Sequence, residues 1–440
     1  MDEASYPMEK TPCFMPKFAP LNLFMKIAVI GGGAAGFFGA IQAALNDPKA
    51  DITLFEKSHK LLSKLLISGG GRCNVTNACF DNSLLINGYP RGNKELRGSF
   101  EQFAPANIVN WFESRGVKLK TEPDGRMFPV TDRSETIADC LISVAEKAGV
   151  KIKTSAGINK VRRTENESGE RRAESEGYEL QFQDGHIQIF DRVLIAAGGG
   201  PKLSFFDWLK DLDLEIVNPV PSLFTFNIAD KSMHEMLGIS VPDALIKITN
   251  TKLQQRGPLL ITHWGLSGPA ILKLSAWGAR DLADVSYNFG ISVSWLPDFK
   301  EDELRIRISD IRTLENKKQT GTFSLFGFPG RLWKWMLVKS EIPDDMRWAD
   351  VSNKQINKLV TNLLQMNMPV TGKSTFKEEF VTAGGVSLKE LNLKTMESKK
   401  HKGLFFAGEV LNIDGITGGF NFQAAWTTGY IAGKNIVGLG

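Results

Sequence analysis

Lys26-Ile27-Ala28-Val29-Ile30-Gly31-Gly32-Gly33-Ala34-Ala35-Gly36 decides the fold. A short apolar strand runs into a G-x-G-x-x-G turn and then an Ala-rich helix that begins at Ala34 and Ala35. Gly31 permits the tight turn, Gly33 lets a pyrophosphate approach the backbone, and Gly36 lets the helix pack closely on the strand. The free N–H groups of the helix N-terminus present a partial positive charge to phosphates. A second strand follows at Asp51-Ile52-Thr53-Leu54-Phe55, and Glu56 stands twenty residues after Gly36. An acidic residue at that distance meets a ribose hydroxyl. Strand, turn, helix, strand and acid in this order predict a bound dinucleotide.

At 440 residues the chain has room for two or three domains. It is 42% apolar and 23% charged, a globular composition. A formal charge of +4 gives no argument for nucleic acid, which calls for a concentrated basic patch. Cys13, Cys73, Cys79 and Cys140 match no zinc spacing and no disulfide framework, and the five histidines are scattered. No metal site is therefore expected. No apolar run reaches the ~18 residues of a membrane helix, and the acidic, Pro-broken N-terminus is not a secretory signal. The cytoplasm is the expected location, with no membrane partner. Residues 1–24 differ in texture from the strand that follows. Met25 reads as the functional start, with 1–24 an extension expected to be disordered and dispensable.

Further along, Ser68-Gly69-Gly70-Gly71-Arg72-Cys73-Asn74-Val75-Thr76-Asn77 reads as a loop with unusual backbone angles. The pattern predicts helices over 105–115 and 134–147, with Ser134 as N-cap of the second. Strands are expected at 117–121, 127–130, 151–154, 157–161 and 191–197, and a hairpin tip at 164–176. From Pro201 the texture turns to short strands, at 222–228, 243–252, 258–263 and 286–295. A helix is expected at 268–280, then charged helices at 301–313, 330–338 and 349–365. Strand 403–408 needs a parallel sheet, and only the first 200 residues offer one. The fold class is thus α/β, a discontinuous Rossmann-like dinucleotide-binding domain with a large insertion of short strands and charged helices. The expected divisions are 25–200 with 372–440 for the dinucleotide-binding domain, 201–300 with 366–371 for the inserted β-rich substrate domain, and 301–365 for the helical subdomain.

The return of the chain argues for FAD over NAD. An NAD domain has no need of a distant C-terminal module, whereas the ribityl chain and isoalloxazine of a flavin extend beyond the pyrophosphate. Glu409 ends the strand that carries Gly408, where it can accept a ribityl hydroxyl hydrogen bond. Gly418-Gly419-Phe420-Asn421-Phe422-Gln423 then opens a helix running to about 436. Its N–H groups would stabilise the charge that develops at the flavin N1–C2=O edge on reduction.

These residues also carry a resemblance. The chain resembles the BaiN-like flavoproteins, also called the aminoacetone oxidase family of FAD-binding enzymes. The matching motifs are GGGAAG at 31–36, SGGGRCNVTN at 68–77, DGRMFPVTD at 124–132, AAGGG at 196–200, THWGLSGPAIL at 262–272, VTAGGVSLKE at 381–390 and GLFFAGEVLNIDGITGGFNFQAAWTTG at 403–429. Together they span nearly the whole chain from Met25, leaving about 276–365 unmatched. The resemblance implies the FAD-binding Rossmann domain with its inserted barrel. More distantly the chain is similar to the fumarate reductase group, whose Thr-x-Gly-Gly turn and Gly-Glu strand end would be Thr382, Gly384, Gly385, Gly408 and Glu409 here.

Cofactor contacts are expected from Ser68, Gly69, Gly70, Gly71, Arg72 and Cys73 in the glycine loop, and from Lys57 and Lys64 beside it. Further contacts are expected from Ala197, Gly198 and Gly199 at a strand end, and from Gly419, Phe420, Asn421 and Phe422. Basic groups there would meet phosphate charge. Cys73 lacks a C-x-x-C partner, which favours inert packing over redox chemistry. The resemblance places the 262–272 loop at the flavin, making His263 a candidate proton donor beside an equally plain structural reading. Arg126 reads as either a binder of an acidic substrate or a surface ion pair.

These features point to an FAD-dependent oxidoreductase acting on a small-molecule substrate. The resemblance implies two reactions. One is reduction by NAD(P)H of an activated C=C in a steroid-like enone. The other is oxidation of a small amine by O2. A flavin-bearing regulatory or nucleic-acid-associated protein is a third reading, against which the missing basic patch counts. The mid-chain cluster Gly198-Gly199-Gly200-Pro201 lacks a second full fingerprint. NAD(P)H is therefore expected as a diffusible reductant without its own Rossmann domain. The substrate and the oligomeric state are not legible in the sequence.

Overall fold

The computed structural model describes residues 24–164, 177–374 and 381–438. The expected extension and almost all of the 164–176 hairpin tip lie outside the described residues. Strand β1 (Lys26–Ile30) is followed by helix α1 (Ala34–Asn46), strand β2 (Asp51–Phe55) and helix α2 (Ser63–Gly71). In β1 and β2 the last four residues are buried, as a sheet covered on both faces requires. The sheet has seven strands in the order 391–392, 397–398, 404–406, 192–195, β1, β2, 151–153. The last five run parallel. The C-terminal strand Leu404–Phe406 pairs with Arg192–Ile195, so the chain does return to its first domain, as expected.

Helix Phe420–Ile436 lies against α1 at a distance only glycine allows. A Cβ on Gly433 would stand 2.3 Å from the Gly39 carbonyl oxygen, and one on Gly429 2.7 Å from that of Ala35. This contact seats the C-terminal module beside the N-terminal turn.

The insertion is entered and left through a two-stranded ribbon, Ile216–Ser222 antiparallel to Val381–Val386. Beyond it is a seven-stranded antiparallel sheet whose edge strands, Met366–Thr371 and Lys373–Ser374, are consecutive in the chain. The sheet therefore wraps back on itself, with Gly372 at the corner (φ +151°). The helices Glu301–Leu314, Gly330–Lys339 and Asn353–Gln365 share one continuous apolar core with this barrel, including Trp295, Trp333 and Trp348.

Several local expectations are corrected: the strand expected over 222–228 is interrupted at Leu223, with strands Ile216–Ser222 and Thr225–Asn227 on either side, and the helix expected over 349–365 begins at Asn353. Helix Ser134–Lys147 has its expected bounds, but Ser134 is the first helical residue, not its cap. Its buried hydroxyl donates to the Leu66 carbonyl (2.7 Å), a tertiary contact that outcompetes capping. The helix expected over 268–280 divides at Gly278 into Pro269–Trp277 and Ala279–Asp284. Among the described residues no helix is long and apolar enough to cross a membrane.

Candidate functional site

At the carboxyl ends of the parallel strands is a cavity of about 800 Å3. Such a crevice is where open α/β sheets bind ligands. Each strand delivers one part of its lining: Gly31, Gly32, Gly33, Ala34 and Ala35 after β1, Glu56 and Lys57 after β2, Ala197, Gly198 and Gly199 after 192–195, and Gly408 and Glu409 after 404–406.

The three fingerprint glycines have three separate causes. Gly31 has φ +116°, and a Cβ there would stand 2.3 Å from the Ala196 carbonyl oxygen. On Gly36 a Cβ would meet the Gly31 carbonyl oxygen at 1.9 Å, so it is a packing residue within α1, outside the cavity lining. Gly33 differs from both. Its φ of −94° suits any residue, and a Cβ would meet nothing within 4 Å. Neither backbone nor packing demands glycine at 33. The space a side chain would fill opens into the cavity, at the N-terminus of a thirteen-residue helix. The residues present thus fit a pyrophosphate held by helix N–H groups.

Two carboxylates face this space. Glu56 accepts hydrogen bonds from the Gly32 N–H and the Ser58 N–H, each at 2.9 Å. Both bonds fix the carboxylate beside the turn. Glu409 accepts from the Thr382 N–H (2.9 Å) and from Lys64 Nζ (2.7 Å). Lys64 is half-exposed, so the ion pair itself is worth at most ~1 kcal/mol. Its geometric effect matters more, because it ties α2 to the C-terminal strand end across the cavity. Thr382 is buried in the neck ribbon and orients Glu409 without lining the cavity. Gly384 and Gly385 are likewise buried in the ribbon, where a Cβ would strike the Asn218–Pro219 and Val410 backbones.

The chain entering the glycine segment is helical to Ile67 and then breaks. Ser68 is extended, and Gly69, Gly70 and Gly71 all have positive φ (59°, 71° and 82°). Ser68, Gly69 and Gly70 line the cavity, whereas Gly71, Arg72 and Cys73 turn away from it. Arg72 pairs with Glu122 (2.6 Å) and stacks on Phe128, its charge thereby spent inside the protein. Cys73 is fully buried, and burial pushes its thiol up to about 12 from the ordinary 9.0. Native protein at pH 8 should therefore leave Cys73 unmodified by a thiol reagent while the part-exposed Cys79 reacts. The unfolded thiol ionises first as pH rises, so stability linked to Cys73 is full below pH ~9 and lost towards ~12. Cys73→Ala should flatten this alkaline loss in thermal melts. Early labelling of Cys73 in the native protein would contradict that account.

At the other end, Gly418, Gly419, Asn421 and Phe422 line the cavity where helix Phe420–Ile436 begins. Gly419 has φ +96°, and a Cβ there would strike the Thr76 backbone at 2.4 Å. The Asn421 side chain is engaged at both ends by Gly415, accepting from its N–H (2.8 Å) and donating to its carbonyl (2.9 Å). Phe420 does not line the cavity. Its ring packs edge-to-face on Tyr89, against Gly88, where a Cβ would come within 2.3 Å of it.

His263 is not brought to the cavity. The turn between strands Gln254–Thr262 and Gly265–Ser267 carries it and Trp264 into solvent. Residues not named individually as cofactor contacts also line the cavity: Ser58, Asn74, Leu223, Ile413 and Ile416, together with Leu272 from the 262–272 loop and Arg126, the expected substrate binder or surface ion pair. Asn74, Arg126, Leu272, Ile413 and Ile416 all lie within the matching motifs, and Arg126 is paired with Glu122 (2.9 Å) and Asp124 (2.7 Å). Ser58 and Leu223 belong to none of them.

Residues 25–435 match the family described as HI0933-like protein Rossmann domain, and the chain belongs to that family. It is 26% identical to the 3-dehydro-bile acid delta(4,6)-reductase of Clostridium scindens, over 93% of this chain and 98% of the relative. It is 28% identical to the ribosomal RNA dihydrouridine synthase of Haemophilus influenzae, over 94% and 99% of the two chains. Among solved structures it is similar to a 3-ketosteroid-delta4-(5alpha)-dehydrogenase from Rhodococcus jostii RHA1, with a TM-score of 0.48, 13% identity, and coverage of 96% and 99%.

Proposed function

We propose that the protein is an FAD-dependent oxidoreductase that reduces a C=C conjugated to a carbonyl, using NAD(P)H as a diffusible donor. The observation that carries this reading is the cavity itself. It is walled at once by the 31–36 turn and by the returning 408–422 segment, and Gly33 leaves open the volume that a pyrophosphate would take.

The chain's residues divide the work of binding. The Gly31–Gly33 turn and the N-terminus of α1 hold the pyrophosphate. Glu56, fixed by two backbone N–H groups, accepts from the adenosine ribose. Glu409, fixed by the Thr382 N–H, accepts from the ribityl chain. The N-terminus of helix Phe420–Ile436 would meet the pyrimidine edge of the flavin. FAD held there would supply two-electron chemistry, storing a hydride from NAD(P)H, whose oxidised form departs before the acceptor enters. That hydride and one proton from solvent would together saturate the C=C. The names of both relatives support this class of acceptor, since a delta(4,6) bond beside a 3-oxo group and the uracil double bond are each ring C=C bonds conjugated to a carbonyl.

Purified protein should be yellow, and anaerobic NADH or NADPH should bleach it. An activated ring enone should then restore the colour. Bleaching by small amines with recovery in air would instead establish the oxidase alternative. Colourless protein that gains no colour on adding FAD would end the flavin reading. Donor and acceptor should share one pocket and react in turn, giving parallel double-reciprocal lines. Intersecting lines would exclude the shared pocket.

Removing either carboxylate should weaken FAD. Losing a hydrogen bond to a charged group costs roughly 1.5–3 kcal/mol, or about ten- to a hundred-fold in Kd. Glu56→Ala should lose affinity for FAD and for adenosine-containing fragments alike. Glu409→Ala should lose affinity for FAD and FMN while leaving ADP-ribose binding unchanged. Equal losses for every fragment in both variants would refute this division.

A further inference from the structure

Three cavity-lining residues come from positions 201–374, and all are apolar: Phe205, Leu223 and Leu272. Leu223 is also backbone-strained. Its φ is +42°, a left-handed conformation that costs a non-glycine residue free energy. Nothing about packing requires that conformation, because Leu223 is only part-buried while its two neighbours are buried. Those neighbours are pinned. The Ser222 hydroxyl donates to Asp414 (2.8 Å), and the Phe224 N–H donates to the buried Ser275 hydroxyl oxygen (2.9 Å). Held on both sides, the chain turns the Leu223 side chain out of the barrel core and into the cavity. Leu272, from helix Pro269–Trp277, joins it there. Ile413 and Ile416, just before the Gly418–Phe422 segment, add apolar lining of their own.

We infer that Leu223 is the specificity-determining residue of the substrate site, the apolar wall against which a flat ring substrate lies. This rests on the oxidoreductase reading above and adds to it the acceptor's contact surface. The strain is retained because it aims an apolar side chain at a ring, which neither a core-filling leucine nor a glycine at this turn would do. The ligand chemistry is a neutral, flat ring with a C=C conjugated to a carbonyl. A steroid and a pyrimidine nucleoside both carry it.

The test uses full-length, FAD-loaded protein, with testosterone and uridine as separate probes. Binding is read as a perturbation of the flavin absorbance band. Leu223→Gly removes the side chain and relieves the backbone strain together, and Leu223→Asn keeps a residue tolerant of the left-handed conformation but makes the wall polar. The expected result is binding of at least one probe to the wild type, weakened about tenfold or more in both variants. FAD affinity should be unchanged and the melting temperature no lower than wild type in Leu223→Gly. The probe that binds identifies the source of the ring. The inference is overturned if neither probe binds yellow wild-type protein, or if the variants bind as tightly as wild type. It is also overturned if Leu223→Gly lowers the melting temperature, which would make Leu223 a core residue. Colourless wild-type protein, by contrast, fails the flavin reading itself before any probe is added.

Discussion

Gly33→Leu is expected to give folded, colourless protein. Position 33 caps α1 in an extended conformation open to any residue, and its Cβ direction is free of protein atoms to 4 Å. The apoprotein should therefore melt within ~1 kcal/mol of wild type, the scale of a changed N-cap. A four-carbon side chain would nonetheless occupy the space beside the helix N-terminus, where the pyrophosphate must come close enough for N–H contacts. FAD affinity should fall by about a hundredfold or more, read by flavin-to-protein absorbance after purification and by titration of apoprotein. The companion variant Gly36→Val behaves oppositely in cause. Its Cβ would sit 1.9 Å from the Gly31 carbonyl oxygen, so turn and helix must separate. That variant should lose both flavin and fold. Yellow Gly33→Leu protein with wild-type affinity would place the dinucleotide elsewhere. Well-folded Gly36→Val protein would show that the close packing is dispensable.

These two variants also show what the sequence could and could not convey. The glycine spacing was legible because each glycine answers a local demand of one turn and one helix. Helix 420–436 was legible by the same kind of local signal, a glycine pair followed by a long small-residue and apolar run. What stayed hidden depends on partners far away in the chain. Phe420 has the same chemistry as its cavity-lining neighbour Phe422, and only helix phase separates the ring that packs on Tyr89 from the one that lines the cavity. Lys64 suggested a phosphate, yet it finds Glu409, 345 residues on. His263 belonged to a matching motif, but the tight turn that carries it projects outward. Leu223 has no pattern at all, because its strain arises from hydrogen bonds made by its two neighbours. Periodicity and turn chemistry report on segments, while a cavity is assembled from the ends of several segments at once.

Another non-local contact is a buried ion pair, and it sets the second strong expectation. Arg91 grips Asp414 through two nitrogens, 323 residues apart in sequence. A third nitrogen donates to the Ala276 carbonyl (2.6 Å), and the Ser222 hydroxyl donates to the same carboxylate. Asp414 is fully buried and Arg91 nearly so. The cluster thus fastens the neck ribbon and helix Pro269–Trp277 to the segment carrying Ile413 and Ile416. Burial pushes the Asp414 carboxyl above its ordinary value despite the pull of Arg91 and Ser222. Desolvation therefore outweighs attraction. Because the folded pKa lies above the unfolded one, the linked stability is full below the ordinary carboxylate range and declines as pH rises through the folded value. Removing one partner is a different matter, since it leaves the other charge buried alone. Arg91→Met and Asp414→Leu should each cost about 3–5 kcal/mol in denaturant unfolding. The double variant should cost far less than their sum, because it removes both desolvation penalties and loses only the bonds to Ala276 and Ser222. Additive losses would mean that the two side chains act independently, and the neck would then owe its position to packing alone. If the coupling is found, the double variant also separates two roles of the cluster. A stable protein with unchanged FAD affinity but weakened binding of a ring enone would show that the ion pair serves the Leu223 side of the cavity, through Ser222, and not the cofactor.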